Sequence, residues 1–160
     1  MLPVGSFISN SPDETFALGR RWATEVAAGW VIGLTGDLGT GKTQLVKGIA
    51  AGLGVEATVN SPTFALLQEH DEGRLPLAHI DLYRMETQSE IVGAGLEHFL
   101  TNPDGVTAVE WFERWLTTEW QPGQLLPDSA KPSECVTLRL VVLTDEGETR
   151  RKIEYEDFGD

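Results

Sequence analysis

Residues 36–43 read Gly36-Asp37-Leu38-Gly39-Thr40-Gly41-Lys42-Thr43, the pattern G-x-x-x-x-G-K-S/T. The apolar run Trp30-Val31-Ile32-Gly33-Leu34 stands just before it, and the helix-like stretch Gln44-Leu45-Val46-Lys47-Gly48-Ile49-Ala50 just after. A buried strand, a glycine-rich turn and a helix N-terminus in that order converge backbone N–H groups on one point, which suits an oxyanion. Gly36 and Gly41 let the chain take positive φ and let a ligand approach the backbone. Lys42 is then placed to reach β- and γ-phosphates, and the Thr43 hydroxyl to bind Mg²⁺. The plain alternative is a strand-to-helix turn with an incidental lysine. The flanking elements argue against it, since each falls where a phosphate ligand requires it.

A chain of 160 residues suits one domain spanning 1–160, large enough to bury a substantial core. With 12 Lys+Arg against 25 Asp+Glu, the formal net charge is -13. Nucleic-acid binders carry basic patches that displace counterions from phosphates, so this balance argues against a broad DNA- or RNA-binding face. Any role in nucleic-acid metabolism is better sought through partner proteins. No apolar run approaches the roughly 20 residues that cross a bilayer, so no membrane association is expected. The segment Met1-Leu2-Pro3-Val4-Gly5-Ser6 lacks a basic stretch followed by an apolar one. Cys135 is the single cysteine, which rules out an intrachain disulfide and suits a reducing cytoplasm.

Elsewhere the punctuation is local. Ser11-Pro12-Asp13-Glu14 reads as a helix start, with Ser at the N-cap and Pro at the first helical position. That helix is expected to run towards Gly29, and the one after the phosphate loop to close near Gly52 to Gly54. Pro62 sits in a loop leading to a strand, because it cannot donate to a sheet ladder. Asp71-Glu72-Gly73-Arg74 is a turn into the strand Leu77-Ala78-His79-Ile80-Asp81-Leu82. Helical sequence around Ile91 and Leu96 to Leu100 is broken at Asn102-Pro103-Asp104-Gly105, and Val106-Thr107-Ala108-Val109-Glu110 is a second buried strand. The aromatic-rich segment from Trp111 to Trp120 reads as helical. Alternation at Val136, Leu138, Leu140 and Val142, a turn at Asp145-Glu146-Gly147 and a strand around Ile153 make a C-terminal antiparallel hairpin. The expected class is α/β: a three-layer P-loop NTPase domain with a mixed sheet, a parallel βα core first and an antiparallel edge last.

Phosphoryl transfer asks for positioning and charge compensation. Asp81 and Glu110 each end a buried strand, the edge at which open α/β sheets bind ligands. Both are candidates for the carboxylates near Mg²⁺ and the attacking water. A helix N-cap for Asp81 and a salt bridge for Glu110 are the structural alternatives. Thr63 lies where switch segments place a hydroxyl near the metal, although a loop threonine bonding its own backbone explains it as well.

These segments in order resemble the TsaE family of bacterial ATPases of tRNA threonylcarbamoyladenosine synthesis. The loop is similar to that family's G-D-L-G-A/S-G-K-T, Ser61-Pro62-Thr63-Phe64 to S-P-T-F/Y, His79-Ile80-Asp81-Leu82-Tyr83-Arg84 to H-x-D-x-Y-R, and Val109-Glu110-Trp111 to V-E-W. The resemblance implies ATP and Mg²⁺ as cofactors. It implies that the loop and Thr63 bind nucleotide, that Thr43, Asp81 and Glu110 serve the metal, and that Asp81 and Glu110 are catalytic. Trp111 would lie beside the site, and Thr15 matches a threonine of the family's first helix. It also implies a cytoplasmic subunit acting with TsaB and TsaD to form the threonylcarbamoyl group on the adenosine next to the anticodon, in tRNAs reading codons that begin with adenine. The chain departs from the family at Thr40 and from Phe112 to Ser133.

Three other readings keep the loop: a small-molecule kinase, a GTPase and a nucleotide-binding adaptor. Arg114 is the one arginine between Arg84 and Arg139, a poor supply for a kinase lid. No Asn-Lys-x-Asp guanine-reading string occurs, and the two strand-end acids argue against an adaptor. Only Arg84 stands close in sequence to the motifs. The expectation is therefore weak ATPase activity alone, stimulated by a partner.

Overall fold

The run Trp30–Thr35 is apolar on both faces, and such a strand needs cover on both. In the computed structural model it has that cover. The structure describes residues 4–37, 39–56, 59, 66–116, 120–126 and 137–159. Leu38, Thr63 with its neighbours 61–65, and Cys135 therefore lie outside the described residues.

The strands are β1 (Val4–Ser9), β2 (Trp30–Thr35), β3 (Leu67–His70), β4 (Leu77–Asp81), β5 (Val106–Glu110), β6 (Thr137–Asp145) and β7 (Arg151–Gly159). The helices are α1 (Pro12–Trp22), α2 (Lys42–Leu53), α3 (Gln88–Gly93) and α4 (Glu97–Thr101). One seven-stranded sheet has the order β1-β7-β6-β2-β5-β4-β3. The four central strands β6, β2, β5 and β4 are parallel, and the outer pairings are antiparallel.

Side chains alternate across each strand, so one strand feeds two cores. Ile32, Leu34, Ala108, Val141, Leu143 and Ile153 meet α1 and α2 on one face. Val31, Ile80, Val109, Leu138 and Leu140 meet Ile91, Leu96, Leu100, Phe112 and Trp115 on the other. The three-layer α/β architecture with a mixed sheet is as expected. Helix α1 starts where the capping signal predicts, with the Ser11 hydroxyl accepting the Glu14 N–H at 3.1 Å. Helix α2 closes at Gly54, left-handed at φ 93°, within the expected window. Backbones of α1 and α2 nearly touch: a Cβ on Gly48 would lie 2.1 Å from the Phe16 carbonyl oxygen.

Three expectations needed correction, and one strand had not been expected. Helix α1 stops at Trp22 rather than near Gly29, as the N–H groups of residues 23–26 bond back to Gly19, Arg21 and Trp22 in a closing turn. Among the described residues of 111–120, the chain forms a 3₁₀ turn, Phe112–Arg114, where a helix was expected. Trp111 is left-handed at φ 59°, and the Phe112 ring fills the space beside Gly33, where a Cβ would come within 2.6 Å of it. Those two anchors hold the chain off a helical path. Strand β1 had no alternating signal of its own and forms because β7 offers it a partner. The C-terminal hairpin is consequently not the sheet's edge: β6 pairs with β2, and β7 lies between β6 and the edge strand β1.

A buried cation ties this end of the sheet to α1. Arg139, 2% exposed, sets its guanidinium 4.8 Å from the Trp22 ring, 5.2 Å from Trp30 and 4.5 Å from Tyr155. Its Nε and Nη2 donate to the two Asp157 oxygens at 2.7 and 2.9 Å. Removing one partner strands a buried charge, so Arg139→Ala is expected to cost about 3–5 kcal/mol in urea denaturation. Arg139→Met with Asp157→Leu should recover most of that loss. A double variant as unstable as the single one would contradict this account.

Candidate functional site

Parallel register brings the site together. Leu34 of β2 lies opposite Glu110 of β5, and Glu110 opposite Asp81 of β4. Three neighbouring strands thus end at one level, and β2 runs on directly into the glycine-rich loop. Gly36, Gly39 and Gly41 all have positive φ, at 142°, 80° and 100°. At Gly36 a Cβ would also strike the Leu143 carbonyl at 2.5 Å, so this position is closed to other residues twice over. Among the described residues, nothing comes within 4 Å of a Cβ at Gly39. The Thr40 hydroxyl donates to the Asp37 carbonyl at 2.9 Å and cinches the loop.

The first two residues of α2 carry the polar groups. Lys42 is 5% exposed, and its ammonium donates to the Gly36 and Asp37 carbonyls at 2.6 and 2.8 Å. Burial lowers its pKa from the ordinary lysine value, against the charges of Glu113, Glu110, Asp81 and Asp37 around it. Thr43 donates its hydroxyl hydrogen to Glu110 Oε1 at 2.7 Å. Glu110 Oε2 meets His79 Nε2 at 2.6 Å, with His79 fully buried. With Glu110 ionised, Nε2 carries the proton. Asp81 Oδ1 accepts the Tyr83 N–H at 2.9 Å, so this acid caps a turn rather than a helix.

Thr43, Asp81 and Glu110 offer hard oxygen donors of the kind Mg²⁺ takes. A hydroxyl whose hydrogen is spent on Glu110 keeps its lone pairs for a cation. The open space over Gly39 and the amides of the loop suit a polyphosphate. The residues present therefore fit a magnesium nucleotide.

Trp111 stands at the rim. Its ring lies 4.2 Å from Lys42 Nζ and 4.9 Å from the Tyr83 ring. A left-handed conformation costs a non-glycine residue roughly 1–2 kcal/mol, and these contacts hold it there. Thr15 lies beside Gly41 through its methyl group, while its hydroxyl bonds Ser9 Oγ at 2.7 Å. A cleft of about 320 Å³ opens between residues 35–37, Glu113, Trp120 and the end of β6. A second cleft of about 270 Å³, near Pro76 and His98, lies at the opposite end of β4 and β5, away from these groups.

In comparison with known proteins, the model of the family Threonylcarbamoyl adenosine biosynthesis protein TsaE matches residues 9–151. The chain belongs to the TsaE family. The tRNA threonylcarbamoyladenosine biosynthesis protein TsaE of Bacillus subtilis is 48% identical over 101 residues, covering 63% of this chain and 62% of its own. The match thus spans a little under two thirds of that relative. The TsaE of Treponema pallidum is 36% identical over 142 residues, 86% of this chain and 92% of its own. The crystal structure of Bacillus subtilis YdiB superposes with a TM-score of 0.73 at 30% identity, covering 99% of this chain and 88% of that one.

In this TsaE-family chain, the structure brings together Gly36, Asp37, Gly39, Thr40, Gly41, Lys42 and Thr43 with Asp81 and Glu110. Leu38 and Thr63 lie outside the described residues. Sequence reasoning left three neighbours without a role. His79 stood inside a motif, two residues before Asp81 and so on the same strand face. Glu113 stood in the atypical segment. Arg151 stood far away, yet its Nη2 donates to the Gly39 carbonyl at 3.2 Å. Arg114 also comes close, 5.9 Å from the Trp111 ring. Arg114 follows the Val109-Glu110-Trp111 motif by three residues, and Arg151 comes from a distant strand, so the fold supplies more arginine near the site than Arg84 alone.

Glu113 Oε2 accepts the Gly36 N–H at 3.5 Å, while its Oε1 is buried and without a partner. Burial raises its pKa above the ordinary glutamate value, against the hydrogen bonds of its own backbone and Gly36 and the charges of Lys42 and Arg114. The folded protein therefore holds this proton more tightly than the unfolded chain. The carboxyl favours folding below the ordinary glutamate range and loses that advantage as pH rises through the raised value. Glu113→Gln should accordingly melt higher than the parent at about pH 8, with the gap closing near pH 4. A gap that widens towards acid would refute this assignment.

Proposed function

We propose that this chain binds ATP with Mg²⁺ at the glycine-rich loop. It hydrolyses that ATP to support formation of the threonylcarbamoyl group on the adenosine next to the anticodon, in tRNAs reading codons that begin with adenine. It acts in the cytoplasm with TsaB and TsaD. The names of its relatives support the pathway. The observation that carries the chemistry is the Thr43–Glu110 hydrogen bond, which joins the end of the phosphate loop to a strand-end acid beside Asp81.

Each residue then has a role. The amides of Gly39, Gly41, Lys42 and Thr43 face the phosphates, and Lys42 exchanges its two carbonyl partners for β- and γ-phosphate oxygens. Thr43 and Asp81 hold the metal, which when bound neutralises charge developing between the β- and γ-phosphates. Glu110, whose two oxygens meet Thr43 and His79, orients the Thr43 hydroxyl and serves the same metal beside Asp81. Thr63 is the expected switch residue. The acidic surface leaves tRNA to the partners, since a net charge of -13 opposes a broad RNA-binding face. Among the described residues no helix is long and apolar enough to cross a membrane.

Arg151 does not replace a partner's arginine, because it is held to the loop's carbonyl side. Turnover by the purified chain is therefore expected to be slow and to rise when TsaB and TsaD are added. Phosphate release with and without those partners tests this, and rapid multi-turnover hydrolysis by the chain alone would oppose it. Lys42→Ala should lower turnover at least about a hundredfold. Asp81→Ala and Glu110→Ala should lower it by about as much while changing nucleotide affinity less. Normal hydrolysis by both acid variants in the reconstituted assembly would overturn the site.

A further inference from the structure

The β6–β7 hairpin folds around a guanidinium that points at the phosphate loop. Arg151, the first residue of β7, pairs in register with Asp145, the last of β6. Its Nη1 donates to Asp145 Oδ1 at 3.3 Å and to the Glu148 and Arg150 carbonyls at 2.8 and 2.9 Å. Its Nη2 reaches across to the Gly39 carbonyl at 3.2 Å. The tip closes through Gly147 at φ 112° and Glu148 at φ 44°, with the Gly147 N–H on Asp145 Oδ1 at 2.8 Å. An arginine so bound is fixed in place, with its side chain only 18% exposed.

The Gly39 carbonyl has a counterpart. A peptide unit is planar and trans, so its C=O and N–H point opposite ways. Drawing the Gly39 oxygen out to Arg151 turns the Thr40 N–H the other way, and that N–H donates to the Asp37 carbonyl at 3.4 Å, closing a turn within the loop. Lys42 holds the Gly36 and Asp37 carbonyls from inside, and Arg151 holds Gly39 from outside.

We propose that Arg151 is a positioning residue of the phosphate loop, which by holding the Gly39 carbonyl outward fixes the turn from Asp37 to Thr40 and couples the β6–β7 hairpin to nucleotide occupancy. The inference rests on the nucleotide reading above and adds to it a second cation and a second element. Coupling between two parts of a protein is reciprocal in free energy. If Arg151 favours the binding-competent loop, a bound phosphate chain favours the ordered hairpin.

The test uses MgADP as probe, by calorimetry and by hydrogen exchange over residues 145–150. Arg151→Ala is expected to bind about tenfold more weakly than the parent, the size of one charge-assisted hydrogen bond at a partly exposed site. Arg151→Lys should fall between, because an ammonium cannot reach every acceptor of the planar fork. Thr149→Ala removes a different hairpin anchor, the hydroxyl on the Asn10 carbonyl at 2.8 Å, and should bind within about twofold of the parent. MgADP should slow exchange at the hairpin tip in the parent and not in Arg151→Ala. Parent-like affinity in Arg151→Ala, while Lys42→Ala loses binding, would overturn the inference and leave the nucleotide reading intact. Equal weakening in Arg151→Ala and Thr149→Ala would overturn it too, since the hairpin would then matter only as a fold element. A parent chain that binds no MgADP at all would remove the nucleotide reading and this inference with it.

Discussion

A buried carboxylate is costly unless its oxygens find donors, and Glu110 finds one in each of two elements. Thr43 approaches from the head of α2, and His79 from the neighbouring strand β4. Because Glu110 is only 3% exposed, water offers neither oxygen a substitute. The acid therefore fixes three things together: the start of α2 against β5, the β4–β5 register, and the direction of the Thr43 lone pairs. The loop between Thr35 and Lys42 has both ends pinned by these bonds and by β2. Its glycines then supply the backbone angles, and Gly36 also the close approach to the Leu143 carbonyl.

Charge is concentrated at the same place. Lys42 is enclosed by acids at positions 37, 81, 110 and 113, with two loop carbonyls on its ammonium and the Trp111 ring alongside. Such a setting keeps a cation in a site from which burial would otherwise expel it. It also gives the site a strongly polar interior beside well-packed apolar cores, which is what positional catalysis on a polyphosphate requires. The left-handed Trp111 belongs to this arrangement, since the ring reaches both Lys42 and Tyr83 from a backbone conformation that only tertiary contacts sustain.

Much of this was legible in the chain because it is encoded locally. A capping serine, a left-handed glycine after a helix, a continuous apolar strand and a glycine-lysine-threonine turn each act over a few residues. Their physics does not need the rest of the molecule. The two strand-end acids were legible for the same reason, as each closes an apolar run. The helix assigned after Trp111 failed because propensity there competes with a distant constraint, the Phe112 ring seated at Gly33. Strand β1 was missed because its only reason to extend is β7.

The sequence alone determined the layers, the phosphate loop and the acids that end β4 and β5. Tertiary structure alone decided that Asp81 and Glu110 stand side by side, that His79 closes the second Glu110 oxygen, and that Glu113 and Arg151 reach the loop. Contacts of the first kind follow from backbone geometry and burial within one element. Those of the second kind depend on strand order and register, which bring Gly39 and Arg151 into contact although 111 residues lie between them in the chain. No short-range pattern reports such a pairing.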